Sequence, residues 1–261
     1  MAGGYNGFLL SESQRDRLTV VLVHPRNPLN IGAAARALAN FGFAHLSVVS
    51  PFEPHWREAK SAVGAPDQLQ NAIATESLAE AIAQSTLVLG TGTLTHRKPE
   101  QPVVELPDLA PRVVAELASG GRVALVFGPE KHGLTCEDLS YCHLLVEIPT
   151  DPRQPSMNLG QAVAVCLYEL AVRATPSQSA PLPEGPGPTS AHLDLLAAVI
   201  EQSMHAAGYS PLSMQPANRH DLRLMLRRLS LNPHDLRRIL GLFRRILWRL
   251  RPKPQPPPDS V

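Results

Sequence analysis

The sequence is short of cysteine, of long apolar runs and of the common cofactor fingerprints, and each shortage removes a class of protein. Three cysteines, an odd number, provide no disulfide framework. Cys136 and Cys142 lie near His143, but no Cys-x-x-Cys or His-x-x-x-His spacing accompanies them, so no metal site is expected. No stretch approaches the length of a membrane-spanning helix. The N-terminus shows no basic start followed by a long apolar run, so no signal peptide is visible. A reduced, cytoplasmic compartment is the simplest expectation. The first apolar run is not followed by Gly-x-Gly-x-x-Gly, which weakens a dinucleotide-binding reading. There is no Gly-Lys-Ser/Thr phosphate loop, no His-Glu-x-x-His and no Gly-x-Ser-x-Gly elbow. Nucleotide hydrolases, zinc proteases and esterases lose support accordingly.

What is present begins with charge. A formal net charge of +1 conceals an asymmetry. Between Arg219 and Lys253 stand eleven basic residues, namely Arg219, Arg223, Arg227, Arg228, Arg237, Arg238, Arg244, Arg245, Arg249, Arg251 and Lys253. Only Asp221 and Asp235 oppose them, so this window carries +9 and the remainder −8. A basic block beside an acidic body fits a polyanion-binding appendage, and arginine's planar fork suits phosphate oxygens. A solvated helix face is the bland alternative. The arginines are expected opposite the leucine stripes of their helices.

The most informative features are three turns, each preceded by an apolar run. Val20 to Val23 leads into His24-Pro25-Arg26-Asn27-Pro28-Leu29-Asn30-Ile31-Gly32. Val123 to Phe127 leads into Gly128-Pro129-Glu130-Lys131-His132-Gly133-Leu134. Leu144 to Pro149 leads into Pro155-Ser156-Met157-Asn158-Leu159-Gly160. Short, fully apolar strands are typical of a parallel sheet buried on both faces. Ligands of open parallel sheets lie beyond the carboxyl ends of the strands. The three turns should therefore meet there and present Asn30, Arg36, Glu130, Ser156 and Asn158.

Further elements follow the same alternation. Leu18 to Val23 and His45 to Val49 read as strands, Leu78 to Ala83 as a short helix, Thr86 to Gly90 as a strand and Pro107 to Ala118 as a helix. Ile31, Ala34, Ala35 and Leu38 form a buried helical stripe, with Arg36 off it. A helix is expected from about Ser156 to Arg173. The chain then divides into a sheet domain over 1–174, a Pro/Gly-rich linker over 175–190, a basic helical extension over 191–251 and a Pro-rich tail over 252–261. The extension reads as three amphipathic helices. Their stripes are Leu193, Leu196, Ile200 and Met204; Leu222, Met225, Leu226 and Leu229; and Leu236, Ile239, Leu240, Phe243, Leu247 and Leu250. Asn232 caps the third.

The three turns, in order and in register over roughly residues 18–173, resemble the SpoU/TrmH branch of the SPOUT RNA 2'-O-methyltransferases, and within it the TrmJ type. The resemblance implies an α/β fold, a parallel-sheet α/β knot closed as a deep trefoil knot, with the basic segment as a small all-α extension. It implies a homodimer, an RNA substrate and S-adenosyl-L-methionine as cofactor. By position, the cofactor would contact Thr91, Gly92, Thr93, Gly128, Ile148, Pro155, Ser156 and Met157. Arg36 matches the family's catalytic arginine, with Glu130 expected to hold Arg36 or Asn30, and with Ser156 and Asn158 in the third motif. Asn158 can also be read as only a helix N-cap. His24, Arg26 and the stretch Thr95-His96-Arg97-Lys98 are softer candidates for RNA contact, against ordinary surface-loop charges. Pro129 departs from the arginine expected in that motif, and His132 receives no role. The implied activity is methyl transfer to a ribose 2'-hydroxyl of tRNA at anticodon-loop position 32, on cytidine or uridine, with no DNA and no membrane partner expected. The alternatives are another tRNA site, rRNA, a small-molecule substrate, or a non-catalytic RNA-binding protein of the same fold.

Overall fold

The computed structural model describes residues 10–52, 55–58, 66–92, 99–173, 185–209 and 211–250. Seven strands form one sheet: β1 Leu18–Val23, β2 His45–Val49, β3 Ile73–Thr75, β4 Leu87–Thr91, β5 Val103–Glu105, β6 Val123–Phe127 and β7 Leu144–Glu147. Their order is β3-β2-β1-β6-β4-β7-β5, and every pairing is parallel. The helices are α1 Glu12–Arg15, α2 Pro28–Asn40, α3 Pro66–Gln70, α4 Leu78–Ala81, α5 Leu106–Ala118, α6 Cys136–Ser140, α7 Leu159–Tyr168, α8 Ser190–Ala206, α9 Gln215–Arg228 and α10 Pro233–Leu250.

Strand pleating explains the doubly apolar runs. In β1, Val20 and Leu22 pack with α2, α5 and α7 on one face, while Val21 and Val23 pack with Leu78, Ile82 and Leu134 on the other. The expected parallel α/β architecture is therefore the observed one. The short strands β3 and β5 escaped the sequence reading because three residues carry too little periodicity. Their positions at the two sheet edges leave Ile73 and Val103 exposed.

Helices α2 and α7 run side by side in the same direction. A Cβ placed on Gly160 would lie 2.6 Å from Ala33 Cβ, and Phe41 meets Tyr168 edge-on at 5.9 Å. Gly160 and the alanines of α2 thus allow a close approach. The helix expected from Ser156 starts instead at Leu159. Asn158 takes the N-cap, accepting from Gln161 N–H at 3.3 Å, which leaves Ser156 and Met157 in the preceding loop.

The extension departs from expectation in the arginines of α9 and in three stripe residues, Met225, Leu229 and Leu250, which are exposed. Its helices share a core of Leu193, Leu196, Ala197, Ile200, Leu222, Leu226 and Leu236, and Asn232 caps α10 as read, accepting from Asp235 N–H at 2.8 Å. However, the arginines of α9 do not all face water. Arg223 donates to Glu137 and to Ser140 Oγ, and lies over the Tyr141 ring at 4.3 Å. Arg227, only 2% exposed, donates to Tyr141 O at 2.9 Å and Asp194 at 3.1 Å. Arg228 pairs with Glu100 and Arg219 with Glu201. Met225 and Leu229, placed on the buried stripe by spacing, are exposed. The reason is that α9 is covered on two sides: by α8 through its leucines, and by α6 of the sheet unit through Arg223 and Arg227. Backbone bonds from Ser190 N–H to Ser85 O and from Ala191 N–H to Ala83 O anchor α8 on the sheet unit too. Residues 175–184 of the expected linker, the leading residues 1–9 and the tail from residue 251 lie outside the described residues.

Candidate functional site

The carboxyl ends of β4, β6 and β7 open onto one cavity of about 460 Å³. Its lining includes Thr91, Gly92, Gly128, Ile148, Pro155, Ser156 and Met157, all of the expected cofactor contacts except Thr93. Thr93, like Thr95 to Lys98, lies outside the described residues. The volume is in the ordinary range for small-molecule sites.

Each wall has a local cause. After β6 the chain turns back on itself, Gly133 N–H donating to Pro129 O at 2.9 Å with Gly133 at φ +63. This fold brings residues 133–134 against Gly128. A Cβ on Gly128 would lie 2.2 Å from Leu134 N and 2.3 Å from Gly133 C. Only glycine fits, because the obstruction is backbone. Gly92 differs: nothing stands within 4 Å of its Cβ position, so its bare backbone borders open space. Thr91 is 7% exposed and its hydroxyl donates to Val126 O at 3.0 Å. Its hydroxyl thus joins β4 to β6 and leaves the threonine's other atoms to the cavity. After β7, Gln154 N–H to Asp151 O at 2.8 Å and Thr150 Oγ1 to Pro155 O at 3.3 Å close the loop that carries Ser156. Leu134, Thr150, Leu159, Glu105 and Glu147 also line the cavity and were not assigned to the site from the sequence. Thr150 was within reach, since it follows the same strand as Ile148, which the family resemblance placed at the cofactor. Glu105 was not, because β5 itself was unread.

Substituting Gly128 with alanine should cost about 5- to 150-fold in affinity for the cofactor, since the 133–134 backbone must move and backbone distortions of this kind cost on the order of 1–3 kcal/mol. Calorimetric titration of the full chain with S-adenosylmethionine checks it, and unaltered affinity would show the turn yields freely.

The three motifs join at the cavity mouth through a chain of side-chain hydrogen bonds. Asn158 Nδ2 donates to Asn30 Oδ1 at 3.0 Å. Asn30 Nδ2 donates in turn to Glu130 Oε1 at 2.8 Å. The same carboxylate accepts from Arg26 N–H and Asn27 N–H, each at 3.2 Å. Burial is the largest single influence on Glu130 and opposes its charge. The Asn30 amide and the backbone N–H groups together outweigh burial and hold the carboxyl below its usual range. A depressed carboxylate pKa means that this bracing is complete above the unfolded-state value and fades as pH falls through the folded one. The choice left open by the sequence is settled: Glu130 holds Asn30, and among the described residues no ion pair joins it to Arg36. Asn158 is both an N-cap and a member of this chain. Arg36 is exposed on α2, about two turns past the helix start at Pro28, with Asn30 in the first turn.

The arrangement offers glycine-bordered backbone and an apolar wall of Leu134, Ile148, Met157 and Leu159 for a flat, partly apolar ligand. A donor- and acceptor-bearing rim stands beside it. These are the properties S-adenosylmethionine needs, an adenine-sized apolar slot with main-chain groups at its edge.

Comparison with known proteins agrees with this geometry. The SpoU rRNA Methylase family profile matches residues 17–168. The tRNA (cytidine/uridine/adenosine-2'-O-)-methyltransferase TrmJ of Pseudomonas aeruginosa is 41% identical over 167 residues, 64% of this chain and 65% of that protein. The tRNA (cytidine/uridine-2'-O-)-methyltransferase TrmJ of Pectobacterium atrosepticum is 32% identical over 236 residues, 89% of this chain and 95% of that protein. The crystal structure of TrmJ from Z. mobilis superposes with a TM-score of 0.75 at 29% identity, covering 87% of this chain and 98% of that one.

Proposed function

We propose, from the premise that this chain belongs to the SpoU rRNA methylase family, that it is an S-adenosylmethionine-dependent tRNA (cytidine/uridine) 2'-O-methyltransferase acting at position 32 of the anticodon loop. The observation that carries the reading is the Asn158–Asn30–Glu130 chain at the mouth of a glycine-bordered cavity. It locks three separate motifs into one rim, where a ribose can be held against a cofactor.

Thr91, Gly92, Gly128, Ile148, Pro155, Ser156 and Met157 hold the cofactor, with Thr93 assigned beside them. When bound, S-adenosylmethionine supplies an electrophilic methyl carbon, so alignment of the attacking oxygen is the main task left to the protein. Arg36 meets that task from α2. A guanidinium carries five N–H donors and no acceptor, so it is suited to hold an oxygen rather than to take its proton. Its role is to bind the phosphate at the target nucleotide and polarise the 2'-hydroxyl. Glu130 and Asn30 fix the loop before α2, and thereby the approach of Arg36. Ser156 and Asn158 present polar groups to the ribose from the third turn.

The sheet order supports the deep trefoil knot of the family, since β7 is inserted between β4 and β5. The division into a catalytic unit over 1–174 and an RNA-binding helical extension over 191–251 is part of the same reading. So is a cytoplasmic site of action; among the described residues no helix is long and apolar enough to cross a membrane. We assign a homodimer to the α2/α7 face, where Leu29, Val165 and Tyr168 are 52%, 37% and 44% exposed. Light scattering on the full chain at micromolar concentration should report twice the 28.2 kDa chain mass. A stable monomer would sink the assignment.

The function itself is tested by incubating the protein with labelled cofactor and separated RNA classes, then mapping the modified nucleotide. Label is expected in tRNA, on the ribose at position 32. Label confined to rRNA, or none in any RNA, would overturn the reading.

A further inference from the structure

Two non-glycine residues hold left-handed backbone at neighbouring strand ends, His24 at φ 46 after β1 and Ser50 at φ 41 after β2. Such conformations are unfavourable for side-chain-bearing residues and persist where surrounding bonds enforce them. Those bonds are present. His24 N–H donates to Val49 O at 2.9 Å, Ser50 N–H to Thr75 O at 2.9 Å, and Ser50 Oγ to Glu76 O at 2.8 Å. The outcome is a chain turned outward, with Phe52 N–H donating to Pro25 O at 3.2 Å.

Phe52 is then 72% exposed, whereas Phe43 and Phe127 are 1% and 2% exposed. Its place ties it to the site. Pro25 precedes Arg26, whose N–H Glu130 accepts, and Glu130 lines the cavity. β2 neighbours β1, and β1 neighbours β6, so the strand end that leads to Phe52 lies two strand spacings, roughly 10 Å, from the strand end that leads to Gly128. His24 and Arg26, which flank Pro25 in the chain, are exposed and polar. A protein partner would call for a contiguous apolar patch. An exposed π face on a loop bonded to the residue before Arg26 suits an unpaired nucleobase and its phosphate, the way single-stranded RNA is held.

We propose that Phe52 is a stacking platform for an unpaired base flanking the methylated nucleotide, with Arg26 meeting the phosphate between them. The inference rests on the RNA reading above, and extends it from the ribose to a neighbouring base. Because the ring is exposed, Phe52→Ala should fold as the parent does.

The test uses the full chain with tRNA and with anticodon stem-loop RNAs carrying 2-aminopurine beside the target. Phe52→Ala should raise the KM for tRNA about 10-fold, with kcat changed far less and cofactor affinity retained, since base–aromatic stacking falls in that range. Phe52→Trp should restore the parent KM. Fluorescence of one 2-aminopurine position should be quenched by the parent and by Phe52→Trp, and not by Phe52→Ala. A parent-like KM for Phe52→Ala, or quenching indifferent to residue 52, overturns the platform. Phe52-dependent quenching without any methyl transfer by the parent would uphold the platform and refute the enzymatic reading. No RNA binding by the parent would refute both.

Discussion

Arg36→Ala will lower methyl transfer to tRNA by at least ~100-fold, the range of a positioned group that acts on the reacting hydroxyl, while thermal stability and cofactor affinity stay at parent levels. Arg36 lies on α2 away from the buried stripe of Ile31, Ala34, Ala35 and Leu38, so its removal leaves the core intact. It does not line the cofactor cavity. Single-turnover measurement at saturating cofactor isolates the effect. Arg36→Lys should recover only part of the rate, because a point charge binds a phosphate without the planar two-pronged geometry. Turnover near the parent rate in Arg36→Ala would show that the arginine is merely a surface charge.

The second large effect is expected on α10. The four arginines of α9 already face carboxylates, Arg219 on Glu201, Arg223 on Glu137, Arg227 on Asp194 and Arg228 on Glu100. Among the described residues, none of Arg237, Arg238, Arg244, Arg245 and Arg249 makes an ion pair, and all are exposed. Arg245 and Arg249 lie at 4.3 Å and 5.3 Å from the ring of Trp248, itself 53% exposed. The proposed polyanion surface thus narrows to α10 rather than the whole basic window. Replacing its five arginines with glutamine should weaken tRNA binding at low salt by at least ~100-fold. It should also reduce the slope of log affinity against log salt by about 0.7–0.9 for each arginine that meets a phosphate. Filter binding across a salt series reads both quantities. Glutamine at Arg219 and Arg228, exposed members of the α9 set, should change the slope little. Equal losses from the two sets would mean that the α9 pairs open to meet RNA.

Much of this was open to reading in the sequence. Apolar runs such as Val123 to Phe127 determine strands buried on both faces, because no polar residue offers a face to water. Asn232-Pro233 and Asn158-Leu159 carry their helix starts in local chemistry, although only the cap geometry put the second start at Leu159. These are local effects, and adjacent residues suffice to determine them.

Other features depend on partners far away in the chain, and tertiary structure alone decided them. Glu130 could have held Arg36 or Asn30, and the folded chain placed Asn30 within 2.8 Å across 100 residues. Spacing put the α9 arginines on a solvent face; packing against α6 buried Arg223 and Arg227, since a helix wedged between two bodies has little solvent face left. Strands β3 and β5 exist because sheet edges supplied hydrogen-bond partners, not because three residues favour extension. Phe52 and the left-handed turns at His24 and Ser50 left no mark in periodicity either, for a side chain's exposure is determined by what the rest of the chain fails to cover.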